Sequence, residues 1–81
     1  MVKLGMDLST AFAAVLKKHR LKRGLSQEAL AKLAGLHQTG VGFLERGERS
    51  PSIDTIESIS KALDVPVSSL LSEAERVQKR G

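Results

Sequence analysis

The chain has 81 residues and no cysteine, which fits one small domain and excludes a disulfide framework or a thiolate metal site. Thirteen lysine and arginine residues against nine acidic residues give a net charge of +4, which favours polyanionic partners. Charge alone does not establish nucleic-acid binding, because many small basic proteins bind none. No apolar run approaches the roughly 18 residues of a membrane span.

Turn and breaker signals predict five helical segments. The first covers 8–23 and ends at Gly24, a typical residue after a helix. The second covers 26–34 with Ser26 as its N-cap, and the third covers 37–46.

The fourth segment follows a loop at 47–52 and is capped by Ser52. Its apolar residues recur at spacings of three, three and four: Ile53, Ile56, Ile59 and Leu63. It ends at Val65-Pro66, because the residue before a proline avoids the α region.

A fifth segment begins at Ser68 or Ser69, and no segment alternates as a half-buried strand does. The sequence therefore predicts an all-α fold. It predicts a single domain, 1–81, with a core at about 9–71 and a polar C-terminal tail, 72–81, that extends the last helix or frays.

Residues 26–47 are typical of a helix-turn-helix, whose second helix enters the DNA major groove. Ala31 is small where the two helices cross, and Gly35 supplies the positive φ of the turn. Val41 and Leu44 face inward from the second helix of the pair. An ordinary pair of antiparallel helices also uses such residues, so this alternative stays open.

Three motifs, in order and spacing, resemble the phage-repressor (Xre-type) helix-turn-helix family. They are Ser26-Gln27-Glu28-x-Leu30-Ala31-x-x-Ala34-Gly35-Leu36, Leu44-Glu45-Arg46-Gly47-x-Arg49-x-Pro51-Ser52 and Lys61-Ala62-Leu63-Asp64-Val65. The turn at 34–37 and the compact length look most like the controller proteins of restriction–modification systems. The resemblance implies a five-helix, lambda-repressor-like domain, usually dimeric on palindromic operators.

The resemblance makes the third helix, about 37–46, the recognition helix. Gln38 and Thr39 near its start, and Phe43 one turn on, are the expected base contacts. Glutamine can bond an adenine edge and threonine offers a hydroxyl and a methyl, whereas a phenylalanine can meet a thymine methyl. The alternatives are plain solvent exposure for the two polar residues and a core or subunit contact for Phe43.

The resemblance also implies contacts with the DNA backbone from Gln27, Arg46, Arg49 and Ser52. The alternatives are a solvated basic loop for the arginines and a purely structural N-cap for Ser52.

The same family pairs the residues that match Arg20 and Glu45 in a partly buried salt bridge, so neither is expected to contact DNA. A dimer interface is expected on the fifth helix, where Val67 and Leu71 belong to an apolar set larger than a small monomer readily covers. The alternative is that this set packs entirely in the core.

The recognition helix departs from the family pattern at three places. Gly40 and Gly42 each cost about 0.5–1 kcal/mol relative to alanine, and His37 is a poor N-cap. The helix is therefore predicted to be intrinsically weak. Three hypotheses can account for a weak recognition helix. The helix becomes fully ordered only on DNA, or its bare backbone allows a closer approach to the phosphates. In the third, this chain is a family member that no longer reads DNA.

The leading hypothesis is a sequence-specific, cytoplasmic transcriptional regulator that binds double-stranded DNA as a homodimer. An antitoxin and a protein-interaction module with the same fold are the alternatives. No catalytic arrangement, cofactor or metal set is recognisable, since neither His19 nor His37 has a third ligand nearby in the sequence.

Overall fold

The computed structural model describes residues 6–80, and within them the chain forms five α-helices and no strand. The helices are α1 (Leu8–Lys22), α2 (Gln27–Ala34), α3 (Gln38–Glu45), α4 (Ile53–Leu63) and α5 (Val67–Arg80). The predicted all-α, five-helix fold is confirmed. Residues 1–5 and 81, which the predicted domain includes, lie outside the described residues.

Side-chain caps explain where three of the helices begin. An oxygen of the capping residue accepts a hydrogen bond from a backbone amide of the first turn, which otherwise has no partner. α3 lacks such a bond: its N-cap residue is His37, whose side chain accepts no hydrogen bond from the first turn. The bonds run from Thr10 N to Asp7 Oδ1 (2.8 Å), from Ala29 N to Ser26 Oγ (3.0 Å) and from Thr55 N to Ser52 Oγ (3.0 Å).

Left-handed residues end α2 and α4. Gly35 has a φ of 69°, which costs a glycine little, and the amide of Leu36 then bonds back to the Ala31 carbonyl at 2.8 Å. Asp64, with a φ of 56°, ends α4 just before the Val65-Pro66 pair. The turn at Gly35 sets the angle at which α3 leaves α2.

The core lies among the five helices, and each of them contributes buried side chains to it. Its largest fully buried side chains are Leu16, Leu30, Ile59, Leu63, Leu70, Val15 and Val41. One residue of the apolar stripe predicted for α4 does not reach the core. Ile53, the first residue of α4, is 82 % exposed. Leu33 of α2 is likewise 61 % exposed.

Of the two alternatives expected for residues 72–81, the structure shows extension of the last helix, and the core continues past residue 71. α5 begins where the Pro66 carbonyl accepts the Leu70 amide at 3.1 Å, and it continues as one helix to its last described residue. Ala74 is fully buried and Val77 packs on the core. Leu70, Ala74 and Val77 follow at i, i+4 and i+7, so the apolar face of α5 continues past 71 and packs mainly on α1.

Candidate nucleic-acid interface

The α2–turn–α3 unit presents one face of α3 to solvent. Val41 and Leu44 are buried against Leu30 and Ala31 of α2 in the common core. Since residues three and four apart share a helix face, the inward positions of α3 leave the start of its other face uncovered.

Five of the predicted DNA-contacting side chains, together with Gly42, line a single open cleft of about 230 Å³ between α2 and α3. Its lining residues are Gln27, Gln38, Thr39, Gly42, Phe43 and Arg46. The other two predicted contacts, Arg49 and Ser52, line an adjoining pocket of about 400 Å³ at the start of α4, which shares Thr39 with the cleft. The fold therefore gathers all seven side chains on one face.

Two arginines lie against the aromatic ring of Phe43, one from the cleft and one from the adjoining pocket. The Cζ atoms of Arg49 and Arg46 are 4.3 Å and 5.1 Å from the centroid of the Phe43 ring. Both distances are within the roughly 6 Å of a cation–π contact. Arg46 also donates from Nε to Glu48 Oε2 at 2.7 Å, in an ion pair that is about half exposed.

A buried ion pair fixes the end of α3 to α1. Arg20 donates from Nε and Nη2 to the two carboxylate oxygens of Glu45 at 2.5 Å and 3.0 Å, and from Nη1 to the Leu25 carbonyl at 2.7 Å. Gln27 Nε2 donates to the same carboxylate at 3.1 Å. The hydrogen bond with Glu45 raises the pKa of Arg20 more than burial lowers it. Both charged side chains are therefore occupied and not available to a ligand.

Comparison with known proteins identifies the family of the chain. Residues 16–70 match the Helix-turn-helix family. The chain belongs to the Xre-type helix-turn-helix family. The resemblance predicted from its motifs is confirmed.

Control proteins are among the relatives of this helix-turn-helix protein. It is 36 % identical over 94 % of its length to Control protein C.SmaI from Serratia marcescens, of which it covers 90 %. It is 46 % identical over 80 % of its length to Control protein C.BamHI from Bacillus amyloliquefaciens, of which it covers 82 %.

A solved relative has the same fold. The restriction-modification controller protein C.AhdI from Aeromonas hydrophila matches with a TM-score of 0.75 at 40 % identity, covering 76 % of this chain and 94 % of that one. These matches show that the chain is a DNA-binding transcriptional regulator, as its sequence predicts.

Within this helix-turn-helix protein, Ser52 has a structural role. Its Oγ accepts the Thr55 amide and lies 2.9 Å from Thr55 Oγ1, to which it donates. Val67 and Leu71, the predicted interface residues, are half-buried on α5, and Leu71 packs partly against the core.

Two features of the helix-turn-helix protein were not predicted from its sequence. The first is the stacking of Arg46 and Arg49 on Phe43. Its only sequence signal is the i, i+3 spacing of Phe43 and Arg46 on one helix. The second is a link between α1 and α5, in which the Glu73 carboxylate lies 2.7 Å from Lys18 Nζ and 2.9 Å from His19 Nε2.

No helix within residues 6–80 is long and apolar enough to cross a membrane. Across the same residues, His, Asp and Glu side chains form no group of three that could hold a metal ion.

Proposed function

We propose that this helix-turn-helix regulator inserts α3 into the major groove of a specific operator and reads it with Gln38 and Thr39. The supporting observation is that these two exposed side chains share one cleft with the cationic side chain of Arg46. Base-edge recognition needs polar groups free to enter the groove, and backbone contacts set their register. The cleft offers polar groups for the base edges and a cationic group for the DNA backbone on one surface.

The phosphate contacts in this proposal come from Gln27, Arg46, Arg49 and Ser52. The two arginines are exposed and can donate to phosphate oxygens. Gln27 lies in the first turn of α2, and Ser52 caps the start of α4, so both are beside helix N-termini that favour anions. Ser52 keeps its cap bond in this arrangement and contacts the phosphate from the same exposed edge.

The working form in this proposal is a homodimer on a palindromic operator. Val67 and Leu71 keep exposed apolar surface on α5, which a second copy can cover. A two-fold symmetric protein matches a palindromic site, with one recognition helix in each half-site. Sedimentation that finds only monomer at micromolar concentration would remove the dimer from the proposal.

The named relatives suggest which genes are regulated. Since C.AhdI is a restriction-modification controller protein and C.SmaI and C.BamHI are control proteins, we propose that this chain controls a restriction–modification system and acts on the DNA just upstream of its own gene. Binding to DNA upstream of its own gene would place the protein in the cytoplasm. The proposed role is regulatory and involves no enzymatic step.

A fluorescence-anisotropy titration tests the proposal. The upstream DNA, in excess random competitor, is titrated with the wild type, Gln38→Ala and the control Gln78→Ala, a matched substitution on α5. We expect competitor-resistant binding by the wild type and the control. We expect Gln38→Ala to lose about 1–3 kcal/mol of binding free energy, because one base contact is removed.

Two outcomes of the titration would contradict the proposed operator binding. If the competitor abolishes binding of all three proteins equally, the chain is a basic domain without operator specificity. If binding to a partner protein resists salt while DNA binding is absent, the fold serves protein interaction, since phosphate contacts lose affinity steeply as salt rises.

A further inference from the structure

We propose that Phe43 is a positioning residue: its ring holds the guanidinium groups of Arg46 and Arg49 in place for neighbouring DNA phosphates, and Gly42 leaves the space that Arg46 occupies. This assignment rests on the proposed DNA-binding function and gives Phe43 a role other than contact with a base. It also explains why a recognition helix carries a glycine in its second turn.

The two arginines reach the ring from different elements. Arg46 directly follows α3, whereas Arg49 lies in the loop beyond it. Exposed arginine side chains normally lose considerable conformational entropy when they bind a phosphate. A shared aromatic platform restricts both in advance, at cation–π distances of 5.1 Å and 4.3 Å.

Their hydrogen-bond donors stay available for a ligand. Arg46 uses Nε for Glu48, which leaves its two terminal nitrogens without a hydrogen-bond partner among residues 6–80. Arg49 has no hydrogen bond or ion pair within the described part of the chain. Two guanidinium groups with free donors on one ring suit two adjacent phosphate groups, which arginine binds in a bidentate manner.

Gly42 is buried beneath this arrangement. A Cβ atom there would lie 3.1 Å from Nη1 and 3.8 Å from Cζ of Arg46, and 3.6 Å from Oε1 of Gln27. The first distance is shorter than ordinary van der Waals contact, so a side chain at 42 would displace the Arg46 guanidinium by a few tenths of an ångström. The end of an exposed arginine moves easily, so alanine at 42 is compatible with the fold but not with this position of Arg46.

The role assigned to Phe43 is independent of DNA sequence. Phosphate contacts set position and affinity, whereas base contacts set specificity. Loss of the ring must therefore weaken operator DNA and random DNA by the same factor, and it must act only through the two arginines. A base-contacting phenylalanine would instead affect the operator alone.

The first experiment uses the free protein. Side-chain proton shifts of Arg46 and Arg49 are measured by NMR in the wild type, Phe43→Leu, Gly42→Ala and the control Gly40→Ala. We expect ring-current shifts for both arginines in the wild type and in the control, whose Cβ would meet nothing within 4 Å. Phe43→Leu should abolish both shifts, and Gly42→Ala should reduce that of Arg46. Random-coil arginine shifts in the folded wild type would overturn the proposal.

The second experiment measures the affinity of an operator duplex and a random duplex at low salt. We expect Phe43→Leu to weaken both equally, by roughly 2- to 5-fold for each guanidinium it releases. In an Arg46→Ala/Arg49→Ala background, Phe43→Leu should cause no further loss. Arg76→Ala/Arg80→Ala, two exposed arginines on α5, controls for the two positive charges that this background loses.

These outcomes separate the two proposals. A loss confined to the operator, or one that persists without the two arginines, would overturn the positioning role. If the wild type shows no operator preference while Phe43→Leu still weakens random DNA, the operator proposal fails and the positioning role stands.

Discussion

Among the charged residues, Arg20 is buried, and its loss is expected to destabilise the fold strongly. Its side chain is 9 % exposed, that of Glu45 is 3 % exposed, and the pair joins α1 to the end of α3. Arg20→Ala leaves the Glu45 carboxylate buried with only the Gln27 amide as a partner. We expect it to cost about 3–5 kcal/mol, a large share of the roughly 5–15 kcal/mol that holds a small domain together.

Urea and thermal unfolding measure this cost, with Arg23→Ala as the matched control on the same helix. Arg23 is exposed and makes one hydrogen bond, from Nη1 to the Leu63 carbonyl at 2.8 Å, so its loss should cost about 1 kcal/mol. Equal midpoints for the two variants would contradict the assigned importance of the buried pair.

Residue roles differ in how far the sequence predicts them. Arg20 and Glu45 are 25 positions apart, and only the family resemblance connects them before the fold is known. Ser26 and Ser52 were predictable from local chemistry, because an N-cap depends on its own first turn. The stack on Phe43 was not predictable, since periodicity places a residue on a face but does not determine the conformation of a long exposed side chain.

At the scale of elements, α3 is a regular helix in spite of its two glycines. Tertiary packing of Val41 and Leu44 stabilises it, as expected for a helix of only eight residues. Gly40→Ala adds a methyl group that meets nothing within 4 Å. We therefore expect a gain of about 0.5–1 kcal/mol, seen as a higher thermal midpoint.

Gly35→Ala is the opposing control, because its φ of 69° is costly for alanine, and its midpoint should fall. If Gly40→Ala brings no rise while Gly35→Ala brings the fall, then the residues from 38 to 45 are not a regular helix in the free protein.

The helix ends show where local signals are insufficient. The turn at Gly35 was predictable, because its conformation suits glycine. The sequence left the length of α5 open, because Ala74 and Val77 lie in a stretch dominated by polar residues, and an alanine is a weak hydrophobic signal. Packing on α1 stabilises that stretch as a helix. Because α1 is distant in the sequence, neighbouring residues alone do not reveal this contact.

For the whole molecule, an electrostatic link joins α5 to α1 in addition to their apolar packing. Glu73 is held by Lys18 at 2.7 Å and by His19 at 2.9 Å, and the hydrogen bond from Lys18 is the main reason that the pKa of Glu73 lies below its usual value. A carboxyl group with a lowered pKa in the folded state stabilises that state when ionised. The link therefore fastens the proposed dimer-forming helix to the body of the domain at neutral pH.

The pH dependence of this link is the last prediction. The stabilisation by Glu73 is fully present above the pKa of an unfolded glutamate, about 4.3, and is lost as the pH falls through the lower folded pKa. Urea unfolding of the wild type and Glu73→Gln should therefore differ at pH 7 and converge in acid. Glu75→Gln, an exposed neighbour on α5, is the control and should show no such pH-dependent difference. A wild-type–Glu73→Gln difference that is constant with pH would mean that Glu73 contributes through packing and not through its charge.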